Sequence, residues 1–73
     1  MSNSTKPDLS PLTPPERKRV YHFPGGGKLE LTDVTHLLVR PSGSHRLATA
    51  DGRKWIVQPG WVAIELDVDD WTL

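Results

Sequence analysis

No cysteine occurs in this chain of 73 residues, so neither a disulfide nor a thiolate metal site can brace it. That absence is compatible with a cytosolic protein and does not fix the location. Long hydrophobic runs are missing as well. No segment approaches the ~20 apolar residues of a membrane span. Residues Met1 to Pro15 carry one lysine and no apolar run, so no secretion signal is expected there. Aromatic residues are few: three tryptophans, one tyrosine and one phenylalanine. A chain of this length folds as one domain and buries only roughly 60% of its unfolded surface. Finally, bases are absent from the last nineteen residues, Trp55 to Leu73, which hold the acids Glu65, Asp67, Asp69 and Asp70. The preceding fifty-four residues hold all nine bases against five acids. The formal net charge of zero therefore hides a basic part and an acidic part. Such a distribution steers encounters with partners and says little about fold.

Four of the seven prolines sit in residues 1–15, with only Leu9 and Leu12 as larger apolar groups. This composition predicts a disordered tail over residues 1–18 and a small β domain over 19–73. Val20-Tyr21-His22-Phe23 is rich in strand formers, Pro24-Gly25-Gly26-Gly27 breaks the chain, and Leu29 and Leu31 alternate with Lys28 and Glu30. Residues 19–31 therefore read as a hairpin with a glycine loop. Thr32-Asp33-Val34-Thr35 suits one helical turn with Thr32 or Asp33 as N-cap. Leu37-Leu38-Val39 reads as a buried strand ended by Pro41-Ser42-Gly43-Ser44. Asp51-Gly52 suits a two-residue type I′ turn, which pairs Ala48 with Trp55 and Leu47 with Ile56. After Pro59-Gly60, the run from Trp61 to Val68 alternates. Val62, Ile64, Leu66 and Val68 lie on one face, and Trp61, Ala63, Glu65 and Asp67 on the other. The expectation is a mainly β fold: a four- to five-stranded antiparallel sheet, curled into a partial barrel, with one helical turn and a disordered N-terminal tail.

No motif for chemistry emerges. His22, His36 and His45, even with Asp33, match no zinc spacing. Gly25-Gly26-Gly27-Lys28 lacks phosphate-loop spacing, and Leu29 stands where Ser or Thr should follow the lysine. Glu65 and Asp67 share a strand face, where adjacent acids can shift a pKa, yet a solvated sheet face explains them more simply. The expectation is no enzyme, no metal and no cofactor. Arg17-Lys18-Arg19 with Arg40, Arg46, Arg53 and Lys54 offer a basic face, and Tyr21 and Trp55 offer stacking surface. This is the alternative reading, a nucleic-acid-binding β domain. Trp61 and Trp71 flank the acidic strand, as aromatic anchors of a protein interface would.

The proline-rich start, Glu16-Arg17-Lys18-Arg19, Tyr21-His22-Phe23-Pro24-Gly25-Gly26-Gly27 and the ending Gly60-Trp61-Val62-Ala63-Ile64-Glu65-Leu66 carry a resemblance over essentially the whole chain. The chain resembles the small RNA-polymerase-binding transcription regulators of lytic Xanthomonas phages. The resemblance implies a monomer in the host bacterial cytoplasm that binds the host multisubunit RNA polymerase near the start of its largest subunit. It further implies inhibition of initiation and promotion of terminator read-through, with no membrane and with nucleic acid involved only indirectly. The residues expected to meet the partner are Arg17, Lys18, Arg19, Trp61, Glu65, Asp67, Asp69, Asp70 and Trp71.

Overall fold

The structure is a computed structural model that describes residues 9–69. Five strands form one antiparallel sheet: β1 (Ser10–His22), β2 (Lys28–Val39), β3 (His45–Thr49), β4 (Lys54–Val57) and β5 (Ala63–Asp67). Their spatial order is β4-β3-β2-β1-β5. Sequential hairpins build β1 to β4, and the chain then returns so that β5 adds to the free side of β1. No helix among the described residues is long and apolar enough to cross a membrane.

The mainly β class and the glycine-loop hairpin follow the sequence. Tyr21 pairs with Leu29 and His22 with Lys28. The amide of Phe23 bonds to the Gly27 carbonyl at 2.8 Å. The single helical turn is a short 3₁₀ segment at Pro24–Gly26 in this loop. It does not lie at Thr32–Thr35, where the caps suggested it. There β2 runs straight through, and Asp33 absorbs an irregularity with a positive φ of 54°. Asp tolerates that region better than most residues.

The tail is shorter than expected. Residues 10–18, read as part of a disordered tail, belong to β1, where Ser10 pairs with Leu37 and Glu16 with Val34. The reason for the order is physical: Leu12 packs against the core and Glu16 is buried. The three prolines at 11, 14 and 15 lack a backbone donor, and the ladder is irregular between Pro11 and Glu16, where sheets tolerate proline. Residues 1–8, the rest of the expected tail, lie outside the described residues.

The second hairpin closes one residue away from the expected register. Leu47 pairs with Trp55 and Ala48 with Lys54. Thr49 and Arg53 close the loop: the Thr49 amide bonds to the Arg53 carbonyl, and the Gly52 amide to the Thr49 carbonyl, both at 3.0 Å. Only Gly52, at φ 89°, takes the left-handed conformation, so the loop is the three-residue kind with a glycine bulge. Asp51 keeps an ordinary φ because its carboxylate accepts from Thr49 Oγ1 and the Arg53 amide. Leu47 and Trp55 therefore share the core side, and Ile56 is 60% exposed.

The core gathers Tyr21, Leu31, Val34, Leu47 and Val57, with Leu12, Phe23, Leu29, Leu37, Trp55, Trp61 and Ile64 packed around it. The sheet is curled. Strands two apart in a flat sheet stand roughly 9–10 Å apart, yet Tyr21 on β1 reaches His45 on β3 with a hydrogen bond of 2.8 Å. β4 and β5 remain the two edges. β5 is shorter than the expected Trp61–Val68, and Val62 is 70% exposed. From Ala63 to Val68 the alternation holds, with Ile64, Leu66 and Val68 half-buried and Ala63, Glu65 and Asp67 exposed.

Candidate functional site

Pairing of β1 with β5 sets Lys18 opposite Asp67 and Val20 opposite Glu65. The basic start of the domain and the acidic end of the chain are thereby neighbours in space. Arg17 reaches Asp67 at 2.6 Å and also engages Asp69. Lys18 pairs with Glu30 on β2 at 3.0 Å, and His22 with Glu65 at 3.0 Å. The Asp67 carboxyl is held below its usual range by the Arg17 hydrogen bond, and Glu30 likewise by Lys18. The guanidinium of Arg17 is held above its usual range by Asp67 and Asp69. Lys18 is raised by Glu30. These pairs sit in water, where ion pairs contribute little to stability. Val20, paired with Glu30 on one side and Glu65 on the other, is buried among them.

Arg19 behaves differently from its two neighbours in sequence. It is buried with Glu16 in a bidentate pair, Nε to Oε1 at 2.8 Å and Nη2 to Oε2 at 2.9 Å. Residues three apart on a regular strand face opposite sides, yet these two meet although the β1–β2 register is continuous from Glu16 to His22. Arg19 Nη1 also donates to the Tyr21 hydroxyl at 3.2 Å. The same hydroxyl also hydrogen-bonds to His45 Nδ1 at 2.8 Å. Burial lowers the His45 pKa, and the Arg19 charge adds to that shift. Burial raises Tyr21, partly opposed by Arg19. Burial also pulls Arg19 down, but Glu16 and Tyr21 together outweigh it and leave the guanidinium raised. Trp61 closes the cluster edge-on to Tyr21 at 5.0 Å and tilted against His45 at 4.6 Å.

The positions read from the sequence therefore separate. Arg17, Lys18, Glu65, Asp67 and Asp69 gather at the β1–β5 edge. Arg19 and Trp61 are built into the interior network. Asp70 and Trp71 lie outside the described residues. The expected single basic face divides in two. The β1 bases are matched by carboxylates, while Arg40, Arg46 and Lys54 have no carboxylate partner among the described residues. The histidines also separate: His22 meets Glu65, His36 meets the Thr35 hydroxyl at 2.8 Å, and His45 meets Tyr21. Among the described residues no group of three or more His, Asp or Glu side chains is arranged to hold a metal ion. The Glu16–Tyr21–His45 network was not anticipated. Its only sequence signal is a tyrosine two residues after an arginine on one strand face, which is common.

A comparison with protein-family models, with curated proteins and with solved structures finds no match to this chain.

Proposed function

We propose that this protein is a phage regulator that binds the host multisubunit RNA polymerase near the start of its largest subunit. Binding suppresses initiation and favours terminator read-through. The resemblance in sequence carries the identity of the partner. The open β5 edge supports the mode of binding. A sheet edge leaves backbone donors and acceptors unpaired, ready for a strand from a partner. Around this edge stand Glu65, Asp67 and Asp69 with Arg17, charges that set association rate more than affinity. The mechanism is population shift: the protein prefers one polymerase conformation and holds it.

The test is capture of purified host polymerase by the immobilised protein, with association rates measured across a salt series. The double change Glu65→Gln, Asp67→Asn leaves the domain folded, because both side chains are exposed. It should slow association at low salt, and the difference should shrink as salt rises. Unchanged association at low salt would remove β5 from the interface.

A further inference from the structure

Of the bases with no carboxylate partner among the described residues, Arg46 and Lys54 share one face of the β2–β3–β4 half. Cross-strand register places Leu38, Arg46 and Ile56 in one row and His36, Ala48 and Lys54 in the next. Alternation puts these rows on the side opposite Leu37, Leu47 and Trp55. Arg46 and Lys54 are exposed diagonal neighbours, roughly 7–8 Å apart in such a ladder. Beside them opens a cleft of about 410 Å³ lined by Leu9, Leu38, Arg46, Lys54, Trp55 and Ile56 among others. The Trp55 indole N–H is buried without a hydrogen-bond partner among the described residues. The β3–β4 hairpin from His45 to Val57 carries Arg46, Arg53 and Lys54 against the single acid Asp51, and Asp51 is already bridged to Arg53.

We propose that this face holds an extended single strand of nucleic acid, with Arg46 and Lys54 on successive phosphates and Leu38 and Ile56 against sugars and bases. Charge complementarity selects an anionic chain. The apolar residues beside the two basic side chains select a strand whose bases are unpaired, because a duplex offers only phosphate and sugar along its backbone. The planar guanidinium of Arg46 suits phosphate in two-point contact. The face lies at the other end of the sheet from β5, so a polymerase contact through β5 leaves it open.

Fluorescence anisotropy with labelled oligo-U and oligo-dT of about ten nucleotides and the purified full chain tests this without polymerase. Two phosphate contacts predict a log–log salt slope of about −1.4, a loss of about sevenfold in affinity between about 50 and 200 mM salt. Arg46→Gln or Lys54→Gln should each remove about 0.7 of that slope. Arg46→Lys should keep the slope and Arg46→Glu should abolish binding. Lys28→Gln, at the far hairpin, should change nothing. Proton–nitrogen correlation spectra of each variant confirm the fold, and the loss of slope in Lys54→Gln carries the test if an Arg46 variant misfolds. The proposal is overturned by no binding at low salt, by an unchanged slope in the Arg46→Gln, Lys54→Gln double variant, or by equal competition from a duplex or from polyglutamate. Loss of polymerase capture with oligonucleotide binding intact would sink the regulator reading alone.

Discussion

Glu16→Gln is the most revealing single perturbation of this fold. The carboxylate and the Arg19 guanidinium are 7% and 6% exposed in their side chains and meet at 2.8 Å. The change keeps the shape and one acceptor but leaves a buried cation without its anion. Breaking such a pair by removing one partner costs about 3–5 kcal/mol. At ~0.05–0.15 kcal/mol per residue, a chain of 73 residues has about 4–11 kcal/mol of stability in all. The variant should therefore lose a large share of its stability, and its Tm should fall by more than about 12 °C. Replacing both partners, Glu16→Leu with Arg19→Met, removes the buried charges together and should be neutral or stabilising by about 1–4 kcal/mol. Urea unfolding followed by tryptophan fluorescence and by far-ultraviolet dichroism gives both values, provided the m-value is unchanged. If Glu16→Gln lies within about 0.5 kcal/mol of the wild type, the pair is not the buried anchor of β1.

Burial lowers the His45 pKa in the folded chain, so the unfolded chain takes up the proton first. Stability is then full above the unfolded value of about 6.5 and declines as pH falls below it. Urea midpoints at about pH 7.5 and 5.5 should differ more for the wild type than for His45→Phe, and equal differences would refute the assignment. Gly43 and Gly52 both hold positive φ, at 95° and 89°, so each Gly→Ala change should cost about 1–2 kcal/mol. Gly43→Ala should cost more, because its new Cβ would meet Pro59 Cγ at 3.3 Å while none crowds Gly52; equal thermal shifts would contradict this. Arg17→Gln, at an exposed pair, should barely move the urea midpoint, and a loss like that of Glu16→Gln would overturn the contrast between the two pairs.

What the sequence revealed and concealed divides by range. Alternation from Ala63 to Val68 and the glycine loop after Phe23 are local signals, and both led to the correct elements. The failures came where one residue could satisfy two local patterns. Asp51-Gly52 suits both a two-residue and a three-residue loop, and the hydrogen bonds from Thr49 Oγ1 and the Arg53 amide to Asp51 select the longer. Asp33 suits a helix cap and also a strand irregularity, and pairing on both sides of β2 selects the second. The prolines of residues 11–15 argue against a strand by themselves, but Leu12 and Glu16 bring burial that outweighs that preference.

Charge shows most clearly how far linear reading can go. Along the chain, the bases of residues 17–19 and the acids of residues 65–69 look like opposite poles. Antiparallel pairing of β1 with β5 lays Lys18 against Asp67 and Arg19 against Leu66, and folding brings those poles together. Their charges are largely spent on each other and on Glu16 and Glu30. Of the bases with no carboxylate partner among the described residues, Arg46 and Lys54 stand together on β3 and β4, and the sequence offers them only as members of a wider basic face with Arg17, Lys18, Arg19, Arg40 and Arg53. A patch of this kind is set by sheet register. The one-residue shift in the second hairpin decides its composition: it brings Ile56 into line with Arg46 and turns Trp55 inward beside Leu47. In the register expected from a two-residue turn, Trp55 would have stood opposite Ala48 on the face that now carries Lys54, and the same residues would have offered an aromatic platform in place of a basic, aliphatic one.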